Sequence, residues 1–168
     1  MNTGVTIRRV SGEDAAAAWA LHLEMLADTP LAYIMTLAEC AGQGFAAFAA
    51  RTARGAAGGH DATFVAESGR RLVASAGGYA HPGEPGCTVL YVVYVTPAHR
   101  GTGVLAELVD AIAGWSRAHD RDRLELDVVI GNARAARAYD KLGFEKAGGP
   151  IAHPTIGPLR EQRMVRRA

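Results

Sequence analysis

One segment of this chain constrains the fold more than any other, because an apolar strand runs directly into a glycine-containing loop and a helix. Residues 87–95 read CTVLYVVYV, which is almost wholly apolar and β-branched and predicts a strand buried on both faces. Pro97 ends the strand, and Gly101 and Gly103 follow it. Apolar residues then recur at helical spacing over residues 104–115. This succession of a strand, a short loop and a helix is typical of an α/β fold.

The loop after this strand has the composition of a phosphate-binding site. Small residues let a ligand approach the backbone closely, and the first amides of a helix have no intrahelical partner. The helix dipole favours an anion there, and Arg100 adds positive charge at the rim. Two other phosphate motifs are excluded, because no lysine follows the glycines and Ala106 replaces the third glycine of G-x-G-x-x-G. A tight strand-to-helix turn would by itself explain an isolated G-x-G.

The remaining periodicities predict a single domain over residues 1–168. The expected order of elements is β-α-α-β-β-β-α-β-α-β, with helices beginning after the capping residues Ser11, Thr36 and Asn132. Strands are predicted at residues 5–10, 63–67, 72–79, 87–95 and 124–130, and the tail from 158 to 165 is a candidate for a last strand.

Charge and cysteine usage exclude several classes of protein. Eighteen basic and seventeen acidic residues give a net charge of +1, which favours neither nucleic acid nor an anionic membrane as a partner. Two cysteines cannot form a disulfide framework, and the scattered histidines form no metal-binding pattern. No signal peptide and no apolar stretch long enough to span a bilayer is present. We therefore expect a cytoplasmic protein with free thiols and no metal.

Two motifs resemble those of the GCN5-related N-acetyltransferases (GNATs). The family's acetyl-CoA signature, [R/Q]-x-x-G-x-[G/A], is matched at Arg100 and Gly103, whereas Leu105 occupies the last position, which is usually small. Downstream, the block NARAARAYDKLGF at residues 132–144 resembles N-x-x-A-x-x-x-Y-x-x-x-G-F almost position for position. The two motifs occur in the expected order with a predicted strand between them, and the resemblance covers residues 60–165.

The resemblance implies a GNAT-like fold. Such a fold has a mixed, mostly antiparallel sheet of about six to seven strands flanked by about four helices. Its fourth and fifth strands splay apart to admit the pantetheine arm of acetyl-CoA. The residues implied to bind this cosubstrate are Val93, Tyr94 and Val95 on the strand, Arg100, Gly101, Thr102, Gly103, Val104, Leu105 and Ala106 in the loop and helix, and Asn132.

The implied activity is direct transfer of an acetyl group to a primary amine of a small molecule or protein, and a homodimer is a possible assembly. Tyr139 is the implied general acid toward the CoA thiolate. The general base stays open. Asp127 lies five residues before Asn132, where some family members carry a carboxylate, although a solvated edge carboxylate explains it nearly as well. Residues 88–96 contain no carboxylate, so Glu84 or a chain of water molecules is the alternative.

A non-catalytic sensor or partner module that binds acyl-CoA is the alternative function. Tyr139 favours the enzyme, because a binding module needs no acid at the sulfur, whereas Leu105 favours the binding module. The sequence does not identify the acceptor. Residues 26–48 are expected to form one wall of its site, from their position in the family fold.

Overall fold

The computed structural model describes residues 4–168, which form one mixed sheet with helices on both faces. The strands are β1 (Val5–Arg9), β2 (Asp61–Ser68), β3 (Arg71–Ala80), β4 (Cys87–Val95), β5 (Arg123–Val129), β6 (Glu145–Lys146), β7 (Ile151–Ala152) and β8 (Arg160–Arg167). The helices are α1 (Ala15–Asp28), α2 (Leu37–Ala57), α3 (Val104–Arg117) and α4 (Ala133–Lys141). The strand order is β1-β2-β3-β4-β5-β8-β6, and β7 also pairs with β8.

The expected fold class and the order of the long elements are confirmed. The capping box at Thr36 is formed, since its hydroxyl accepts the Glu39 amide at 3.2 Å and the Glu39 carboxylate accepts the Thr36 amide at 2.8 Å. Gly44 has a φ of 80°, which kinks α2. Strands β6 and β7 were not predicted, because two residues are too few to show a period of two.

Two apolar layers cover opposite faces of the sheet. On one face, α1 contributes Met25 and Leu26 and α2 contributes Cys40 to a cluster that includes Tyr94 of β4. On the other face, α3 packs on the sheet through fully buried apolar residues, and Tyr139 of α4 joins the same cluster. Within residues 4–168, no helix combines the length and the apolarity needed to cross a bilayer.

Strands β4 and β5 are parallel and pair over only three positions, from Cys87 with Arg123 to Val89 with Glu125. Beyond these pairs the strands separate, which confirms the expected splay. The prediction that β4 is buried on both faces is wrong for its second half, because residues 91–93 are only partly buried where no neighbouring strand covers that edge.

A β-bulge lies in the exposed half of β4. The register with β3 changes between the pairs Ser75–Tyr94 and Gly77–Tyr91, which leaves one extra residue on β4. Val92 has a φ of 51° in this bulge, an unfavourable conformation for a β-branched residue. The bulge re-aims the β4 backbone next to the gap between the strands.

His22 makes the stability of the α1–α2 layer dependent on pH. Its ring lies 5.1 Å from that of Phe48, and burial, together with the charge of Arg51, lowers its pKa to about 4. His22 takes up a proton near pH 6.5 in the unfolded chain but only near pH 4 in the folded one. The stabilisation of the fold that depends on a neutral His22 is therefore fully present above pH 6.5 and is lost as the pH falls toward 4. We expect His22→Gln to remove about 2 kcal/mol of this pH dependence in denaturant unfolding. His60→Gln, at an exposed position, is the control and should leave it unchanged.

Candidate active site

The loop before α3 presents a row of unpaired backbone amides. The amide of Arg100 donates to the Pro97 carbonyl at 3.3 Å, and the next backbone bond runs from Glu107 to the Gly103 carbonyl at 3.2 Å. Within residues 4–168, the six amides of residues 101–106 donate to no backbone carbonyl. Six neighbouring donors at the positive end of a helix form a cradle for a polyphosphate.

Glycine is required at two positions of this cradle. Gly101 has a φ of 77° and Gly103 a φ of 96°, and a Cβ at either position would meet no atom within 4 Å. The space beside the amides is therefore open to a ligand. Leu105, the departure from the family signature, packs its side chain against the core cluster, so its size does not obstruct the amides.

Arg100 is engaged inside the fold. Its Nε donates to the Val95 carbonyl at 3.0 Å, and its guanidinium forms an ion pair with Asp28 at the end of α1. The sequence led us to expect this side chain at the rim of the phosphate site. In the structure these contacts join the end of β4 to α1, and its part in phosphate binding stays a prediction. Thr102 also turns back into the loop, since its hydroxyl donates to the His99 carbonyl at 2.7 Å.

The open edge of β4 presents alternate backbone groups to the gap. Thr96 donates its amide to the Val73 carbonyl of β3 at 2.9 Å, so Val95 and Val93 face away from β3. Tyr94 differs from these two valines, because its backbone faces β3 and its side chain is buried, with the hydroxyl donating to Glu24 at 3.2 Å. Of the β4 residues expected to bind acetyl-CoA, Val95 therefore presents its amide to the gap, and Val93 presents its carbonyl.

Helix α4 carries the two other residues expected on the cofactor side. The side-chain oxygen of Asn132 accepts the Ala135 amide at 3.2 Å and so caps the helix, which leaves its NH₂ group available to a ligand. Tyr139 is buried, with its ring edge-to-face against Phe144 at 5.5 Å. Burial raises the pKa of Tyr139 well above its usual value, with a smaller contribution from Tyr33. Tyr139 therefore stays protonated at neutral pH, as a proton donor must.

Tyr33 reaches the gap from the opposite face of the sheet, and sequence reasoning missed it. It lies in the connection between α1 and α2, and its hydroxyl donates to the Val93 carbonyl at 2.9 Å. Burial raises the pKa of Tyr33 to about 12. No motif marks a single tyrosine in a loop. Only the tertiary structure brings it to the bulge of β4.

Asp127 lies on the α1–α2 face of β5 in a two-pronged ion pair with Arg163 of β8, with distances of 3.1 and 3.3 Å. Arg163 also contacts the buried Glu125 at 3.1 Å. Both oxygens of Asp127 therefore accept from a guanidinium, and its role as general base stays a prediction.

Three potential metal ligands meet at the closed end of the gap. Atoms of His81, Glu84 and Glu125 lie within 4.8 Å of one another. However, Nδ1 of His81 already accepts the Gly83 amide at 3.0 Å, and Arg123 pairs with both carboxylates at 2.8 and 3.0 Å. Arg123 therefore compensates part of the carboxylate charge, whereas Nε2 of His81 faces Oε1 of Glu125 at 3.8 Å.

Comparison with known proteins agrees with the fold. Residues 39–144 match the model of the acetyltransferase (GNAT) family. This match extends over more than half of the chain, so the protein belongs to the GNAT family. A search of the curated proteins finds no match.

Solved structures share the fold at low sequence identity. A putative acetyltransferase from Salmonella typhimurium, solved with its cofactor acetyl-CoA, is 20% identical, with a TM-score of 0.74 over 98% of this chain and 94% of that one. Spermidine N-acetyltransferase from Vibrio cholerae, in complex with CoA and spermine, is 16% identical, with a TM-score of 0.76 over 99% and 96% of the two chains. The GNAT domain of an S. lividans protein is 14% identical, with a TM-score of 0.76 over 98% and 90%.

Proposed function

We propose that this protein is an acetyl-CoA-dependent N-acetyltransferase that transfers the acetyl group directly to a primary amine of a small molecule or protein. The observation that carries the proposal is the cradle of six unpaired amides at residues 101–106, next to the gap between β4 and β5. The cradle fits a pyrophosphate, and the gap fits an extended arm that ends at the β4 bulge.

In the proposed reaction the departing CoA thiolate lies on one face of the sheet and the attacking amine lies on the other. Acetyl-CoA, when bound, supplies an acetyl group activated as a thioester. The amide of Val95 would hold the carbonyl oxygen and stabilise the negative charge that develops on it. Tyr139, on the α3–α4 face, would donate its proton to the departing sulfur. The amine would enter from the α1–α2 face, where Tyr33 and Asp127 lie.

A thiol-release assay tests this function. The purified protein is mixed with acetyl-CoA and, in separate reactions, with spermidine, lysine methyl ester, an aromatic amine and a peptide with a free N-terminus. We expect CoA thiol release that depends on at least one amine, with the acetylated amine identified by mass. CoA binding without release for any amine would instead support a non-catalytic acyl-CoA-binding module.

Asp127→Asn distinguishes the two interpretations of that carboxylate. Because both Asp127 oxygens already accept N–H groups of Arg163, we expect only a few-fold loss of kcat and retention of the acidic limb of the pH–rate profile. Steady-state kinetics between pH 5 and 9 is the measurement. Loss of the acidic limb would contradict this expectation and would make Asp127 the general base.

A further inference from the structure

Glu161 of β8 is a buried carboxylate without a hydrogen-bond donor in the described chain. Its exposed fraction is 8%, and its nearest charged neighbour is His153, whose Nε2 lies 3.7 Å from Oε1. That separation is longer than a hydrogen bond. The oxygens of Glu161 are not among the fully buried polar atoms of the described chain that lack a partner, so the carboxylate reaches solvent although most of the residue is buried. A cationic amine that approaches from that side would pair with it.

The sheet register places Glu161 on the α1–α2 face of the sheet, from which the acceptor amine is proposed to enter. In the ladder between β5 and β8, Asp127 pairs with Arg163 and Val129 pairs with Glu161. Directly paired residues share a face, and so do residues two apart on one strand. Glu161 therefore lies on the face that carries Asp127, whereas Leu126 belongs to the core on the opposite face.

The register also places Glu161 level with the end of β4. The last pair between β4 and β5 joins Val89 to Glu125. Counted along β3, which has no extra residue, Tyr94 lies four positions beyond Val89. Four residues beyond Glu125 lies Val129, the partner of Glu161, and Asp127 lies two residues lower. Of the two carboxylates, Glu161 is therefore the one level with the Tyr94–Val95 peptide, whose amide is proposed to hold the carbonyl oxygen.

His153 is fixed so that it presents one ring nitrogen to Glu161. Its Nδ1 accepts the amides of Thr155 at 3.2 Å and Ile156 at 3.0 Å, so the proton of the neutral ring is on Nε2. Nε2 is buried and has no hydrogen-bond partner in the described chain. The Thr155 hydroxyl donates to the Ile34 carbonyl at 3.2 Å, which ties this loop to the connection between α1 and α2.

We propose, on the basis of the acetyl transfer proposed above, that Glu161 takes the proton of the acceptor amine, directly or through one water molecule, and that His153 positions Glu161. Glu161 accepts one proton from the ammonium, and the freed lone pair forms the N–C bond as the C–S bond breaks. Tyr139 gives its proton to the departing sulfur. It then recovers a proton, through water, from the newly acylated nitrogen, which keeps one hydrogen as the amide product. Glu161 then releases its proton to solvent.

The charges around Glu161 suit this role. Burial raises the pKa of Glu161, and the charge of Asp127 on β5 raises it further. His153, in the loop after β7, and Arg163, on β8, lower it. A carboxylate with a raised pKa is a more effective base near neutral pH than an ordinary one. Because the group must be deprotonated to act, activity falls on the acidic side of its pKa.

The test compares kcat–pH profiles of the wild type with those of Glu161→Gln and His153→Asn, using the amine that gives the fastest thiol release. Glu161→Gln is expected to lower kcat near neutral pH by at least roughly tenfold and to abolish the acidic limb. His153→Asn keeps a side-chain acceptor for the loop amides but removes the Nε2 proton that faces Glu161. The pKa of Glu161 should then rise, and the acidic limb of the profile should move to higher pH. Asp127→Asn should move it slightly lower, because it removes a charge that raises the pKa of Glu161.

Two controls keep the test independent of folding and of the proposed function. Glu145→Gln, at an exposed position on β6, should leave the profile unchanged, and all variants should retain wild-type CoA affinity by calorimetry. If the wild type releases no thiol with any amine, the proposed function fails first, and the role of Glu161 fails with it. If the wild type turns over and Glu161→Gln keeps its rate and acidic limb, the assignment of Glu161 alone is overturned.

Discussion

Tyr139→Phe is expected to lower turnover by roughly 10²-fold or more while CoA affinity changes little. The substitution removes one hydroxyl and keeps the ring, so the edge-to-face contact with Phe144 is preserved. Without the hydroxyl, the departing thiolate would lose the proton donor proposed for it. The measurement is single-turnover kinetics, which isolates the chemical step from product release.

Tyr79→Phe is the matched control for this prediction. Tyr79 pairs with Val89 at the closed end of the gap, below the point where β4 and β5 separate. Removing its hydroxyl is expected to change turnover by no more than about twofold. A rate for Tyr139→Phe equal to the wild-type rate under single-turnover conditions would return Tyr139 to a purely structural role.

Gly103→Glu is expected to weaken CoA binding by about a hundredfold, which corresponds to about 2.7 kcal/mol. Two effects add at this position. A carboxylate would occupy the space beside the unpaired amides, and a side chain at a φ of 96° is strained. Calorimetric titration with CoA measures the change. Gly103→Ala imposes the same backbone strain without the charge, so it separates the two effects.

Gly69→Glu controls for the general consequences of such a substitution. Gly69 lies in the hairpin turn between β2 and β3, has a φ of 61° and would also meet no atom within 4 Å. Its replacement should alter stability but not CoA affinity. If Gly103→Glu folds and binds CoA as tightly as the wild type, the phosphate cradle at residues 101–106 is wrong.

The sequence by itself determined the local parts of the site. Gly101 and Gly103 are required by backbone angles that other residues adopt only with strain, and Asn132 caps α4 through its own side chain. Such features depend on a few neighbouring residues, so their spacing is enough to predict them. The same holds for the period of two in β5 and the helical period of α3.

Only the tertiary structure decided which distant side chains meet. Arg100 forms an ion pair with Asp28 because β4 ends beside α1. Asp127 forms an ion pair with Arg163 because β8 pairs with β5 along its free edge. Neither partner lies near in sequence, and a charged residue carries no pattern that specifies its counterpart. Contacts between distant segments, and not the local sequence, therefore determined which carboxylates form ion pairs.

The burial of β4 and the position of Glu161 were decided in the same way. An apolar strand is typical of a buried strand, but burial needs a neighbour, and β5 turns away after Val89. Glu161 lies in a tail that the sequence marked only as a possible strand. It becomes a buried carboxylate because β8 pairs with both β5 and β7 and the His153 loop packs beside it. Contacts between segments far apart in the chain determine burial, and a local sequence pattern does not specify them.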